Sequence, residues 1–174
     1  EVVFSTLAKR IKGGLPDFTE DGLENDYFKD ISQIHIIGCG SAMHVGLIGK
    51  GLIEKYAMIP TSVFVASEYR YSPPLKSDNT LCIFISQSGE TADTLASLDY
   101  AKKNGYKALS IVNSQGSSIA IESHNVIYTY AGVEIAVATT KGYTTQLTLL
   151  YLFALYTAKK TEKIDDELYS KLLK

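Results

Sequence analysis

Short apolar runs alternate along the chain with longer segments in which apolar residues recur at helical spacing. The apolar runs predict five β-strands, at residues 34–37, 62–66, 81–85, 109–112 and 126–128. Helical spacing follows in three segments, at residues 42–57, 91–104 and 142–160. The third run has no polar residue, which is typical of a strand covered on both faces. This alternation predicts an α/β fold, a three-layer α/β/α sandwich with a five-stranded parallel sheet.

The two ends of the chain have a different character from the alternating part. Residues 1–32 are mixed and polar, and they predict a lead-in with one or two helices. At the other end, Ile164, Leu168 and Leu172 recur at helical spacing, so residues 161–174 are interpreted as a helical linker. The first residue is Glu1, and we expect the chain to be a piece of a longer protein.

Composition and charge narrow the class of protein. The length of 174 residues and the 45% hydrophobic content are those of one globular domain. A net charge of −2 argues against a nucleic-acid-binding face, and no apolar stretch is long enough to predict a membrane span. Cys39 and Cys82 lie in apolar runs, so we expect both to be reduced and buried in a cytoplasmic protein. No metal-ligand spacing occurs, and no metal or cofactor is predicted.

The segment after the third predicted strand concentrates polar groups. Residues 86–91 read Ser-Gln-Ser-Gly-Glu-Thr and lie between a buried strand and a helix. The first amides of a helix lack intrahelical partners and lie at the positive end of its dipole, so hydroxyls at this point suit a phosphate monoester. No Lys or Arg occurs between Lys76 and Lys102, so neutral donors would carry the binding. The alternative is that Ser88 or Thr91 only caps the helix.

Two other loops also follow predicted strands, where ligands bind in parallel sheets. The loop at residues 38–42 begins like a dinucleotide-binding motif, but Met43 stands where that motif has its third glycine. Gly40 either lets the backbone approach a ligand or forms a plain tight turn. Residues 131–141 are mostly small, and they either leave room for a ligand or cross the core.

Three segments resemble a known family when they are taken together. They are residues 66–71 (ASEYRY), 86–94 (SQSGETADT) and 132–146 (GVEIAVATTKGYTTQ). In this order they resemble the first sugar-isomerase (SIS) module of glutamine–fructose-6-phosphate aminotransferases, and the resemblance covers about residues 34–160. It implies a flavodoxin-like SIS domain at residues 33–160 that binds a hexose 6-phosphate, either fructose 6-phosphate or glucosamine 6-phosphate.

The resemblance also implies which residues bind this ligand. Ser86, Gln87, Ser88 and Thr91 would hold the phosphate, Ser41 would lie near sugar and phosphate, and the Val137 carbonyl would accept from a sugar hydroxyl close to Thr139. Ala42 stands where the family usually has a serine that donates to the phosphate. We therefore expect weaker binding or a shifted preference, with the Ala42 backbone N–H as the remaining donor.

The resemblance places the catalytic groups outside this chain, in a second SIS module, and implies a glutaminase module and a homodimer as partners. Isomerisation needs a positioned base. The candidates within the chain are Glu90, Glu134, His44 and His124. We expect a solvated helix-start residue for Glu90, a loop-bonding role for Glu134 and surface or core roles for both histidines. Two alternatives stay open: a sugar-phosphate sensor or paralogous isomerase or deglycase subunit, and a nucleotide-binding α/β domain.

Overall fold

A five-stranded parallel sheet forms the centre of the structure, a computed structural model that describes residues 1–134 and 139–173. The elements in chain order are α1 (Val2–Arg10), β1 (Ile11–Lys12), β2 (Leu15–Pro16), two 3-10 turns (Thr19–Asp21 and Asn25–Phe28), β3 (Gln33–Gly38), α2 (Ser41–Tyr56), β4 (Thr61–Val65), α3 (Ala66–Tyr69), β5 (Thr80–Ser86), α4 (Ala92–Lys103), β6 (Lys107–Val112), α5 (Ser118–Glu122), β7 (Asn125–Tyr128), α6 (Lys141–Lys160) and α7 (Asp166–Leu172).

The sheet has the strand order β4-β3-β5-β6-β7, and every neighbouring pair is parallel. β5 lies in the middle, and every one of its residues is buried, which explains its unbroken apolar run. The five predicted strands are all present, so the prediction of an α/β fold with a parallel sheet is confirmed. The order also brings the carboxyl ends of β3, β5 and β6 side by side, and their loops meet at one edge.

Helices cover both faces of the sheet, as the predicted sandwich requires. On one face α2 and α6 pack on the sheet, and α1 packs on α6. On the other face α3, α4 and α5 enclose a second apolar cluster that includes Phe84 and Leu98. The two clusters are separated by the sheet itself, because successive side chains of a strand point to opposite faces.

Close contact between α2 and α6 depends on glycine. A Cβ at Gly49 would lie 2.5 Å from Leu150 Cδ1, and one at Gly46 would lie 2.8 Å from Ile36 Cγ2. Because Leu150 belongs to α6 and Ile36 to β3, Gly49 lets α2 approach α6, and Gly46 lets α2 approach the sheet, more closely than larger residues would allow. Among the described helices, none is long and apolar enough to cross a membrane.

The first residues of the chain are attached to the β7 edge of the sheet. Arg10 forms a buried ion pair with Asp21 at 2.9 Å, and its guanidinium lies 5.6 Å from the centre of the Phe18 ring and 5.5 Å from that of Tyr130. The Thr6 hydroxyl donates to the backbone carbonyl of Thr129, the residue after β7. These contacts order the segment before β3 and support the loop that follows β7.

Candidate functional site

A cavity of about 180 Å³ opens at the carboxyl edge of the sheet, and we call it the hydroxyl pocket. It is lined by Cys39, Ser41, Ala42, Ile85, Ser86, Gln87, Ser88, Thr91, Glu134, Thr139 and Gln146. Seven of the eight residues that the resemblance implies as ligand-binding line this pocket. Val137 lies outside the described residues. Three parts of the chain therefore meet at this pocket: the loop after β3, the loop after β5, and a third part that contributes Glu134, Thr139 and Gln146.

The hydroxyls of the loop after β5 bind each other and the loop backbone. Ser86 Oγ accepts from the backbone nitrogen of Gly89 at 3.0 Å and lies 3.1 Å from Thr91 Oγ1. Ser88 Oγ accepts from the backbone nitrogen of Glu90 at 3.2 Å. Since Ser88 accepts rather than donates, its hydroxyl proton is available to a ligand.

Helix capping does not account for these hydroxyls. Thr91 occupies the cap position of α4, but its side chain makes no capping hydrogen bond, and Ser88 binds Glu90 outside the helix. The capping alternative is therefore wrong for both residues. The first turn of α4 keeps the unpaired amides that every helix start has.

Gly89 allows the loop after β5 to pack on the loop after β6. Its φ of +70° is left-handed, and a Cβ at this position would collide with Ser117 Oγ. The Gly89 carbonyl accepts from the backbone nitrogen of Ile119 at 3.0 Å, and the Gln87 carbonyl accepts from that of Asn113 at 3.1 Å. The loop is thus fixed by its neighbour, which sets the direction of its hydroxyls.

The backbone N–H of Ala42 was expected to donate to the ligand, and the structure gives it a different partner. Ala42 lines the hydroxyl pocket and the residue is 7% exposed. Its backbone nitrogen donates to the Cys39 carbonyl at 3.2 Å, in the tight turn at the start of α2. The expectation that this N–H remains for a ligand is therefore wrong, because the turn already uses it.

Glu90 connects the loop after β5 to the first residue of α5, and it does not line the hydroxyl pocket. Its carboxylate accepts from Ser118, at 2.8 Å from the backbone nitrogen and 2.7 Å from the hydroxyl. These bonds hold the pKa of Glu90 below its usual value. An ionised carboxylate with a fixed partner is a positioning group rather than a base.

The two candidate histidines lie away from the hydroxyl pocket. His44 is exposed on α2 and does not line it. His124 is exposed before β7, where its Nδ1 accepts from the backbone nitrogen of Ala108 at 3.0 Å. Because this position precedes the strand, His124 lies at the edge of the sheet opposite the pocket. The expectation of surface or core roles is confirmed, and the structure places both histidines at the surface.

Glu134 bonds the residues just before α6, which agrees with the loop-bonding role that the sequence predicted. Its carboxylate accepts from the Thr139 hydroxyl at 2.7 Å and from the backbone nitrogen of Thr140 at 3.0 Å. Gly142 leaves the space for it, since a Cβ there would lie 2.6 Å from Glu134 Oε2. Burial opposes ionisation of Glu134, but the hydrogen bonds from Thr139, Thr140 and Gly142 outweigh it and lower its pKa.

The two cysteines differ in exposure. Cys82 is buried, and burial raises the pKa of its thiol to about 12. Cys39 is only partly buried and lines the hydroxyl pocket, so the expectation of a buried thiol is wrong for it. It follows the end of β3, where the turn into α2 brings it to the pocket surface.

Sequence reasoning missed Gln146. This residue is 2% exposed on α6 and lines the hydroxyl pocket, and its Oε1 has no hydrogen-bond partner. The available signal was a long polar side chain on a helix whose following residues are nearly all apolar. Among the described lining residues there is no Lys or Arg, and among the described residues no His, Cys, Asp and Glu side chains cluster as a metal site would require.

A parallel sheet whose carboxyl edge carries a pocket of hydroxyls and amides defines a class of ligand-binding α/β domain. The profile of the SIS domain family matches residues 27–156, and the chain belongs to this family.

The relatives of the chain are longer enzymes. It is 47% identical over 169 residues to a glutamine–fructose-6-phosphate aminotransferase [isomerizing] from Clostridium tetani, which covers 96% of this chain and 28% of that protein. The protein of the same name from Caldanaerobacter subterraneus is 51% identical over 144 residues, or 83% of this chain and 23% of that protein. The chain thus spans about a quarter of the length of these curated relatives.

A solved structure shows the same architecture. The C-terminal domain of glucosamine-fructose-6-phosphate aminotransferase from Francisella tularensis superposes with a TM-score of 0.94 and 40% sequence identity. The match covers 99% of this chain and 49% of that one. The fold of this chain is therefore that of one half of the solved domain.

Proposed function

We propose that this chain is the sugar-phosphate-binding SIS unit of a glutamine–fructose-6-phosphate aminotransferase. Its hydroxyl pocket binds the phosphate of fructose 6-phosphate or glucosamine 6-phosphate. The observation that carries this proposal is the convergence of Ser86, Ser88 and Thr91 at the start of α4. The names of the relatives support the choice of ligand.

Neutral groups hold the anion in this proposal. The unpaired amides and the positive dipole end of α4 attract the phosphate, and the Ser88 hydroxyl donates to it. Ser41 and Thr139 border the same pocket and supply further hydroxyls. Without a cation, the site depends on the number and direction of its donors, which the contacts of the loop after β5 fix.

The chain binds the substrate, and other modules complete the reaction. Moving a proton between two sugar carbons requires a base whose pKa is close to the working pH. Glu134 borders the pocket, but three hydrogen bonds lower its pKa, which makes it a weaker base. A second SIS module would therefore supply the base, and a glutaminase module the ammonia, in a cytoplasmic homodimer. The isolated chain binds hexose 6-phosphates without converting them.

Isothermal titration calorimetry tests the proposal with fructose 6-phosphate, glucosamine 6-phosphate and unphosphorylated fructose. We expect binding of both phosphates and none of fructose. Ser88→Ala removes one bond to a charged group and should weaken binding about tenfold or more. Ser72→Ala changes an exposed serine that does not line the pocket, and it should bind like the unchanged chain.

Two results would contradict the proposal. One is equal affinity of the Ser88→Ala chain and the unchanged chain, which would remove the loop after β5 from the site. The other is binding of NAD or ATP without binding of hexose 6-phosphates, which would favour a nucleotide-binding domain. Sustained formation of glucosamine 6-phosphate from fructose 6-phosphate and ammonia by this chain alone would overturn the assignment of catalysis to other modules.

A further inference from the structure

Gln146 presents a buried polar group that the fold itself does not use. The residue is 2% exposed, and its Oε1 has no hydrogen-bond partner. Other described residues also carry a buried, unpaired polar atom, but of these only Gln146 lines the hydroxyl pocket. Buried polar groups in proteins are nearly always paired, so the exception calls for a partner that enters the pocket.

The neighbouring residue shows what a satisfied polar side chain looks like on this helix. Thr145 is fully buried, and its hydroxyl lies 3.0 Å from the carbonyls of both Lys141 and Gly142. Its short side chain bonds back to its own helix. The longer side chain of Gln146 extends to the pocket instead, where Ser41, Ser86 and Thr139 also lie.

The chemistry of the unpaired atom identifies the part of the ligand that it contacts. An amide oxygen accepts a hydrogen bond and therefore needs a donor. A phosphate dianion has no proton to donate, whereas a sugar carries several hydroxyls. We propose that Gln146 binds a hydroxyl of the sugar, while the hydroxyls of the loop after β5 bind the phosphate. This inference rests on the proposed function of the same pocket.

A sugar-binding role and a purely structural role predict opposite effects on stability. If Gln146 serves a ligand, its unpaired oxygen weakens the unliganded fold, and an apolar side chain of similar size should not lower the melting temperature. If Gln146 holds the fold together, the same substitution should lower it. Gln146→Met is the appropriate change, since methionine has a similar length and no hydrogen-bonding amide.

Thr157→Val provides the matched control. Thr157 lies on the same helix, is fully buried and has an unpaired hydroxyl, but it does not line the hydroxyl pocket. Both variants therefore remove one unpaired buried oxygen from α6. Only Gln146→Met should change ligand binding.

The experiment measures melting temperature without ligand, and it measures affinity for fructose 6-phosphate and for inorganic phosphate by NMR titration. We expect Gln146→Met to keep or raise the melting temperature, to weaken fructose 6-phosphate binding about threefold to tenfold and to leave phosphate binding unchanged. Gln146→Asn, which shortens the amide, should weaken sugar-phosphate binding in the same way. Thr157→Val should leave both affinities unchanged.

The outcomes separate this inference from the proposed function. Unchanged fructose 6-phosphate affinity in Gln146→Met, together with weakened affinity in Ser88→Ala, overturns the role of Gln146 and leaves the phosphate site standing. Unfolding of Gln146→Met, or equal loss of phosphate and sugar-phosphate binding, also overturns it. If the unchanged chain binds neither ligand, the proposed function fails, and this inference fails with it.

Discussion

The carboxylate of Glu90 holds Ser118 by two hydrogen bonds, of 2.8 Å to its backbone nitrogen and 2.7 Å to its hydroxyl. Glu90 belongs to the loop after β5, and Ser118 is the first residue of α5, which follows the neighbouring strand β6. Glu90 directly follows Gly89, and the backbone nitrogen of Glu90 binds the Ser88 hydroxyl. The pair therefore fixes the position of the hydroxyls proposed to bind phosphate without contacting the ligand.

We predict that Glu90→Ala weakens fructose 6-phosphate binding about threefold to tenfold, because the loop after β5 loses its two hydrogen bonds to Ser118. Glu90→Gln keeps one acceptor and removes the charge, so its affinity should lie between that of Glu90→Ala and that of the unchanged chain. Calorimetric titration of the three chains checks the order. Tighter binding by both variants at low salt would show instead that the carboxylate acts by repelling the anion.

A second prediction concerns the missing hydroxyl at position 42. Ala42→Ser adds a donor to the wall of the hydroxyl pocket, and a hydrogen bond to a charged group corresponds to about tenfold or more in affinity. We expect Ala42→Ser to bind hexose 6-phosphates more tightly by about this factor. Ala96→Ser on α4, which does not line the pocket, should have no effect. If Ala42→Ser binds hexose 6-phosphates no more tightly than the unchanged chain, the phosphate lies away from the start of α2.

A third prediction concerns pH and the buried pair of Arg10 and Asp21. Burial raises the pKa of Asp21 from its usual 3.8 to about 6, although Arg10 opposes the shift. The folded chain therefore binds the proton of the Asp21 carboxyl group more tightly than the unfolded chain does. The contribution of Asp21 to stability is most favourable below about pH 4, and it declines as the pH rises to about 6 and levels off above about 7.

Thermal unfolding at pH 5, 6 and 7 tests this contribution. The stability of the unchanged chain relative to Asp21→Asn should fall by roughly 1–2 kcal/mol between pH 5 and pH 7. Asp166→Asn changes an exposed partner of Lys159, and its difference from the unchanged chain should be constant over this range. A constant difference for Asp21→Asn as well would show that Asp21 is already ionised at pH 5.

Local pattern was sufficient to predict the fold class and the central loop. The uninterrupted apolar run of β5 indicated burial on both faces, and the polar stretch from Ser86 to Thr91 followed it directly. Both signals are contained in about a dozen consecutive residues. The position of the loop at the carboxyl edge then follows from the geometry of any parallel sheet.

Contacts between distant residues could not be predicted in this way. Glu90 and Ser118 are 28 residues apart, and their meeting depends on β6 lying beside β5. The use of the Ala42 amide by the Cys39 carbonyl depends on the conformation of one turn. Hydrophobic periodicity indicates neither which side chains are hydrogen-bonded to each other nor which backbone amides already have a partner.

The sequence by itself determined the five strands of the parallel sheet and the helices α2, α4 and α6. It also determined where hydroxyls gather after a buried strand, because burial and chain direction act on neighbouring residues. Only the tertiary structure decided what completes the hydroxyl pocket. Gln146 lies 58 positions after Ser88, and it reaches the same cavity because α6 packs on the sheet beside α2. That placement is set by the fit of α6 against Gly49 and the apolar face of the sheet, a property of the assembled core.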